Sequence, residues 1–341
     1  PSDRRNPANQ LILPDSMMSL YPQAPVISQI SPRVGFAYQL GGQAVLHFSY
    51  GHFFQMPPMY AMYQNNSFLV DPNNFVTRMG NTLLEPEKTI TYEIGLWQEL
   101  NQIMALDVAL FYRDIYNLLT TKTISTYNQV KYGLYSNKDY GNVRGLELKL
   151  DLAMGQLKGM VNYTLQYTRG NADSPGQTFD RAGNNQDPVN RLIPMGWDQR
   201  HTLNGSLIYG TEKYGGSMTA YYNSGSPYTF APQSESVLSR INLYPNNDYR
   251  PEKYSVDCSF YYRFKLPGGY NANLDVNIYN LFDRLNEEWV NDQTGRAYTA
   301  VIKETDIAGH RSDFNDYEDR IKNPSMYSSP RMVKIGIGVN F

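Results

Sequence analysis

The amino-acid sequence predicts an all-β protein, a transmembrane antiparallel β-barrel to which this chain supplies about eleven strands. Three observations carry that expectation. From Met332 to Phe341 the residues alternate without a break, with Val333, Ile335, Ile337, Val339 and Phe341 on one face and Lys334, Gly336, Gly338 and Asn340 on the other. Successive strand side chains point to opposite sides, so one face is wholly apolar, as lipid outside and water inside would require. The same alternation recurs in paired segments along the chain. Short and long connections alternate strictly between those segments.

The first pair sets Val34, Phe36, Tyr38 and Leu40 before a Gly41-Gly42 turn and Leu46, Phe48, Tyr50 and His52 after it, the spacing of a tight hairpin. A second sets Ile90, Tyr92, Ile94 and Leu96 against Met104, Leu106, Val108, Leu110 and Tyr112. In the third, Leu146, Leu148, Leu150 and Leu152 alternate with Glu147, Lys149 and Asp151, and Val161, Tyr163, Leu165 and Tyr167 return after a turn near Gly155. A fourth spans 199–210 and 216–225. The fifth places Val256, Cys258, Phe260, Tyr262 and Phe264 before Pro267-Gly268-Gly269, and Ala272, Leu274, Val276 and Ile278 after it. At a helical period these sets would smear around the axis. Each strand is expected to run roughly 9–11 residues, the length of a tilted membrane strand.

Turns at 41–42, 100–102, 153–157, 211–215 and 267–270 are short, whereas the links 55–86, 114–142, 170–198, 226–252 and 282–330 are long. Outer-membrane barrels put short turns in the periplasm and long loops outside the cell, which assigns a side to each connection. An odd number of strands does not make a complete bacterial barrel. The chain opens Pro1-Ser2-Asp3 without an initiator Met or signal peptide, and the expectation is a fragment or matured piece.

Composition supports the barrel. Tyr occurs 29 times against 3 Trp and 14 Phe, and a ring with an apolar body and a polar tip suits a membrane interface. The net charge of −2 leaves no electrostatic footprint for nucleic acid. No run approaches the roughly 18 apolar residues of a membrane helix. A soluble propeller or repeat adhesin is the rival reading. Leu at every outward position of 146–152, with charges at the inward ones, weighs against it.

Catalytic chemistry is nearly absent, so no enzyme and no cofactor are expected. His47 and His52 lie five apart in one strand and point to opposite faces; His201 reads as a hydrogen-bonding residue and His310 as solvated. Cys258 is the only cysteine, a small lipid-facing or buried residue with no disulfide or thiolate site. Asp313, Asp316, Glu318 and Asp319, with Asp306 nearby, crowd one loop. Such oxygen-rich clusters can hold calcium, but the Gly and terminal Glu of an EF-hand loop are missing, and a solvated acidic loop is the reading preferred over a metal site. The long-loop aromatics offer the best ligand surface, chiefly Tyr60, Tyr63, Tyr132, Tyr135, Tyr228 and Phe230, with Phe68 and Phe179 among the rest. Rings there can stack on a sugar, peptide or siderophore, or pack the loops together.

Specific stretches carry a family resemblance. Ser31-Pro32-Arg33-Val34-Gly35, Tyr50-Gly51-His52-Phe53-Phe54, Leu84-Glu85-Pro86-Glu87, Tyr92-Glu93-Ile94-Gly95 and Gly145-Leu146-Glu147 resemble barrel strands of TonB-dependent receptors. So do Asp198-Gln199-Arg200-His201, Asn280-Leu281-Phe282-Asp283 and Pro330-Arg331, and the likeness is nearest to large receptors of Bacteroidota-like bacteria. The resemblance implies that residues 1–341 are the C-terminal half of a barrel of about 22 strands, a transporter size class. It implies a plug domain and an N-terminal coupling segment that are not present in these residues, uptake of a scarce nutrient (siderophore, glycan or peptide), and a place in the cell outer membrane of a Gram-negative bacterium. Its implied partners are outer-membrane lipid, the TonB complex through the missing N-terminal part, the barrel-insertion machinery through the terminal strand, and a surface lipoprotein. A passive channel and a partner-binding scaffold are the alternatives.

Overall fold

The computed structural model describes residues 26–65, 69–189, 191–231, 244–299 and 323–340. Phe341, Phe68, His310 and the acidic cluster of Asp306, Asp313, Asp316, Glu318 and Asp319 fall outside them. Eleven strands form one antiparallel path: β1 (Arg33–Leu40), β2 (Ala44–Gln55), β3 (Glu87–Asn101), β4 (Met104–Ser125), β5 (Lys131–Met154), β6 (Leu157–Gly170), β7 (His201–Gly210), β8 (Tyr214–Asn223), β9 (Lys253–Lys265), β10 (Asn271–Tyr279) and β11 (Met332–Asn340). Each strand hydrogen-bonds to the next one on this path, so the topology is a meander. Among the described residues its two ends, β1 and β11, do not meet. Among the described residues no helix is long and apolar enough to cross a membrane, which says nothing about strands.

Register sorts the side chains into two continuous surfaces. One row of directly opposed residues runs Tyr38, Leu46, Leu96, Val108, Leu148, Tyr163, Leu203, Tyr222 and Tyr254 from β1 to β9. One residue along, the row reads Ala37, His47, Gly95, Ala109, Glu147, Thr164, Thr202, Asn223 and Lys253. The period of two thus holds across strands as well as along them. On the last three strands Leu274 opposes both Tyr262 and Ile337, and Val276 opposes Phe260 and Ile335. Ile335 and Ile337 are 70% and 74% exposed, so nothing among the described residues covers the apolar face there. His47 and His52 do lie on opposite faces, the first within 3.3 Å of Asp107 and the second opposite Ile90.

Glycines on the polar face make room for larger neighbours. A Cβ on Gly145 would lie 2.4 Å from both the Phe111 ring and the Leu165 carbonyl, and one on Gly215 would lie 2.6 Å from Tyr261. Phe111 and Tyr261 are the residues directly opposite those glycines, so each ring occupies the space a side chain there would fill.

Two expectations are corrected. The strands are not uniformly near ten residues, since β4 has 22 and β5 has 24. The segment 114–142 is therefore mostly a continued hairpin, which reverses where Thr126 donates its N–H to the Val130 carbonyl at 2.8 Å. The pairing slips between Ile115 and Leu119, with Asn117 at φ 59°, so the alternation changes phase and its continuation is hidden. The fourth turn sits at Thr211–Lys213 instead of 211–215. The Thr211 hydroxyl accepts the Tyr214 N–H at 2.9 Å and closes the turn early, leaving Gly215 and Gly216 inside β8.

Candidate functional site

The long-loop end of the sheet carries the candidate site. On the upper part of the β4–β5 hairpin sit α1 (Met59–Tyr63), a two-residue strand at Arg78–Met79 that pairs in parallel with β5, and α2 (Gln177–Gly183). Their shared core is small: Ala61, Leu84, Leu119 and Tyr135 are buried together, with Met62 against them. Leu84 enters it as the first residue of Leu84-Glu85-Pro86-Glu87, and the next residues wire the loop to the hairpin. The Asn137 amide donates to the Glu85 and Asn117 carbonyls at 2.9 Å each, and the Leu119 N–H donates to Glu87 at 3.1 Å. Phe179 of α2 is fully buried, its ring tilted against Phe75 at 5.3 Å, with the Arg78 guanidinium over its ring and paired to Asp180. Gly133 leaves space for that ring on β5.

Tyr60 and Tyr63 lie on α1, 51% and 53% exposed. The Tyr60 ring stands edge-on to Tyr135 at 5.8 Å. Tyr135 is buried, its hydroxyl donates to Gln64 Oε1 at 3.1 Å, and burial pushes its pKa up. Tyr132 is half-buried on β5 opposite Ile124. Tyr228 belongs to a different loop pair, where Pro227–Tyr228 pairs with Asp248–Tyr249. Its hydroxyl donates to Asp248 at 3.2 Å, and burial, reinforced by the Asp248 charge, pushes its pKa up to about 12. Phe230 is half-buried next to it, its N–H held by Asn247 at 2.7 Å. The structure therefore brings Tyr60, Tyr63 and Tyr135 together and keeps Tyr228 and Phe230 as a separate pair.

Sequence reasoning missed the polar anchors of this end. Asp198 is fully buried, accepts the Thr168 N–H at 2.7 Å and the Tyr249 hydroxyl at 3.2 Å, and pairs with Arg200 at 3.5 Å. Arg200 is sandwiched between the Tyr167 and Tyr249 rings at 4.6 and 5.2 Å. Glu287, also buried, receives both Nε and Nη2 of Arg296. Asn280, at φ 53°, donates to the carbonyls of Arg284 and Ser329 at 2.9 and 3.0 Å, while Asp283 accepts the Arg331 N–H at 2.7 Å, so Asn280-Leu281-Phe282-Asp283 clasps the approach to β11. The only available signal was the motif itself, because Thr168, Tyr249, Ser329 and Arg331 lie thirty or more residues from the Asp198, Asn280 and Asp283 they partner. His201 hydrogen-bonds the Tyr163 hydroxyl at 2.8 Å. Among the described residues no three His, Cys, Asp or Glu side chains converge on a metal position. Fixed anchors beneath exposed rings can hold a stacking surface in place.

Comparison with known proteins gives a consistent result. The family profile described as TonB dependent receptor-like, beta-barrel matches residues 7–281. In solved structures, the chain resembles FpvAI in its complex with pyocin S2, at 15% identity and a TM-score of 0.55, covering 93% of this chain and 34% of that one. It also resembles a mutant of the ferric enterobactin receptor PfeA from Pseudomonas aeruginosa, at 17% identity and 0.54, covering 75% and 35%. The outer membrane transporter YddB from Escherichia coli matches at 12% identity and 0.51, covering 72% and 36%. The chain thus spans about a third of the length of these structures. No curated protein matches the sequence.

Proposed function

The chain belongs to the TonB-dependent receptor-like β-barrel family, and from that premise we propose that it is the C-terminal portion of an outer-membrane receptor barrel that imports a scarce nutrient. The observation that carries this reading is the unbroken pair of rows, apolar or aromatic on one face and polar or small on the other, from β1 to β9. The apolar face, including Val333, Ile335, Ile337 and Val339, meets hydrocarbon, and the polar face lines the lumen around a plug contributed by another part of the protein. Tyrosines bracket that apolar face. Tyr50, Tyr92 and Tyr112 pack as tilted rings across β2 to β4 at 5.1 and 6.4 Å near the loop end, and Tyr209 and Tyr214 meet at 6.0 Å near the turn end. Two belts of this kind mark the two interfaces of a membrane.

On this reading Tyr60, Tyr63 and Phe230 offer ring faces to the nutrient outside the cell, and Tyr132, Tyr135 and Tyr228 hold those rings up. A siderophore, a glycan and a peptide each present surfaces that stack on such rings. Likeness to a ferric enterobactin receptor favours the siderophore class. Energy comes from the TonB complex through a segment outside this chain, assembly uses the barrel-insertion machinery acting on β11, and a surface lipoprotein is a further partner. A Bacteroidota-like source fits the same reading.

The test is uptake by the full-length receptor in a Gram-negative host, with radiolabelled ferric siderophores, oligosaccharides and peptides as parallel probes. Saturable uptake of one class that stops when a protonophore collapses the proton gradient is expected. Replacing Tyr60 and Tyr63 together by Ala should weaken binding of that class by about 1 kcal/mol per ring. Uptake indifferent to the protonophore would make the barrel a passive channel.

A further inference from the structure

The wall of β5 to β8 is dented on its apolar face. A groove of about 220 Å³ runs there between Leu150 and Leu152 on one side and Met218 on the other. Its floor is low because Gly159, Gly205 and Ala220 present almost no side chain, and Gly205 lies directly between Val161 and Ala220 in the register. Every side chain named here belongs to the apolar rows, so the groove opens toward hydrocarbon and its natural filling is hydrocarbon.

Directly below it on the same strand, the turn end changes character. Tyr209 and Tyr214 pack as tilted rings, Tyr214 opposes Tyr262, and the Lys213 ammonium stands 5.5 Å over the Tyr262 ring. On the apolar side of this rim Lys213 stands with Tyr262 and Phe264, whereas Arg263, over the Tyr261 ring, and Lys265 belong to the polar row. The Lys213 cation, among amphipathic rings at the membrane interface, favours an anionic headgroup. The lengths also agree. Lys213 and Ala220 are seven residues apart, about 23 Å along the strand, or about 16 Å of depth at a tilt of about 45°, which is one leaflet of a core about 30 Å thick.

We propose that this wall seats one anionic phospholipid of the periplasmic leaflet, an acyl chain in the Gly159, Gly205 and Ala220 groove and the phosphate beside Lys213. The seat rests on the assignment of the apolar face to lipid and is independent of what the receptor imports.

The experiment purifies the full-length receptor from outer membranes in mild detergent and counts retained lipid by native mass spectrometry. It then repeats the count after exchange into mixed vesicles of phosphatidylglycerol and phosphatidylcholine. One phosphatidylglycerol per barrel is expected. Gly205→Leu, which fills the groove, should remove it, and Lys213→Gln, on an exposed turn, should lower the preference for phosphatidylglycerol at least threefold while the barrel stays folded. No retained lipid in the wild type, or a preference unchanged by Lys213→Gln, would overturn the seat. Insertion of the wild-type receptor into the vesicles, read by its heat-modifiable gel shift, reports separately on the lipid-facing assignment.

Discussion

Asp139 sits where β4 and β5 slip in register, opposite Leu118, and it is buried. Burial pushes its carboxyl above the usual carboxylate range, a hydrogen bond with Thr120 opposes the shift, and its Oδ2 has no hydrogen-bond partner among the described residues. A raised value means that the neutral acid is the form the fold prefers. Its contribution to stability is present below the unfolded value of about 3.9 and is lost as pH rises through the folded value. Above that range the buried acid therefore weakens the fold. Asp139→Asn is predicted to raise the resistance of the β4–β5 extension to unfolding at about pH 7 and to give little gain at about pH 3.5. Protease protection of the loops in the full-length receptor at both pH values checks it, and an equal gain at both would show that charge is not the cause.

At the scale of elements, two substitutions separate the membrane part from the loop end. Leu148 lies in the middle of the apolar row, between Val108 and Tyr163. Leu148→Arg should cost about 2–4 kcal/mol near the midplane, measured as a shift in urea unfolding from vesicles. Little loss there would return the apolar face to a soluble reading. Leu84, fully buried between α1 and the β4–β5 hairpin, behaves differently. Leu84→Ala should cost about 2–4 kcal/mol of loop docking, seen as faster proteolysis near α1, while the barrel keeps its heat-modifiable gel shift. These elements also differ in how readable they were. Every strand pair was legible, because the period of two survives wherever one face must stay apolar. Above the membrane that demand lapses. The bulges at Ile115–Leu119 shift the phase, so the upper halves of β4 and β5 looked like loop. For the site, aromatic content was legible but its division was not. Tyr135 and Tyr228 are spent on packing and Tyr60 and Tyr63 remain exposed, and that division depends on Leu84, Asn137 and Asp248, distant in sequence from the rings they place.

Over the whole molecule, the two ends of the strand path remain to be satisfied. β1 pairs only with β2, and β11 only with β10, so each presents a row of backbone N–H and C=O groups with no partner among the described residues. In water such edges recruit other chains, and in hydrocarbon each unpaired group costs several kcal/mol, which is why membrane sheets close. The apolar face of β11 makes its edge a matching surface for another strand of the same pattern. Residues 1–341 produced alone are therefore predicted to form edge-joined oligomers or aggregates in detergent, and the full-length receptor to run as a heat-modifiable monomer. Light scattering and gel mobility of the two chains, side by side, decide the matter. A stable monomer of residues 1–341 would mean that β1 and β11 find each other, giving a closed barrel of eleven strands instead of one wall of a larger one.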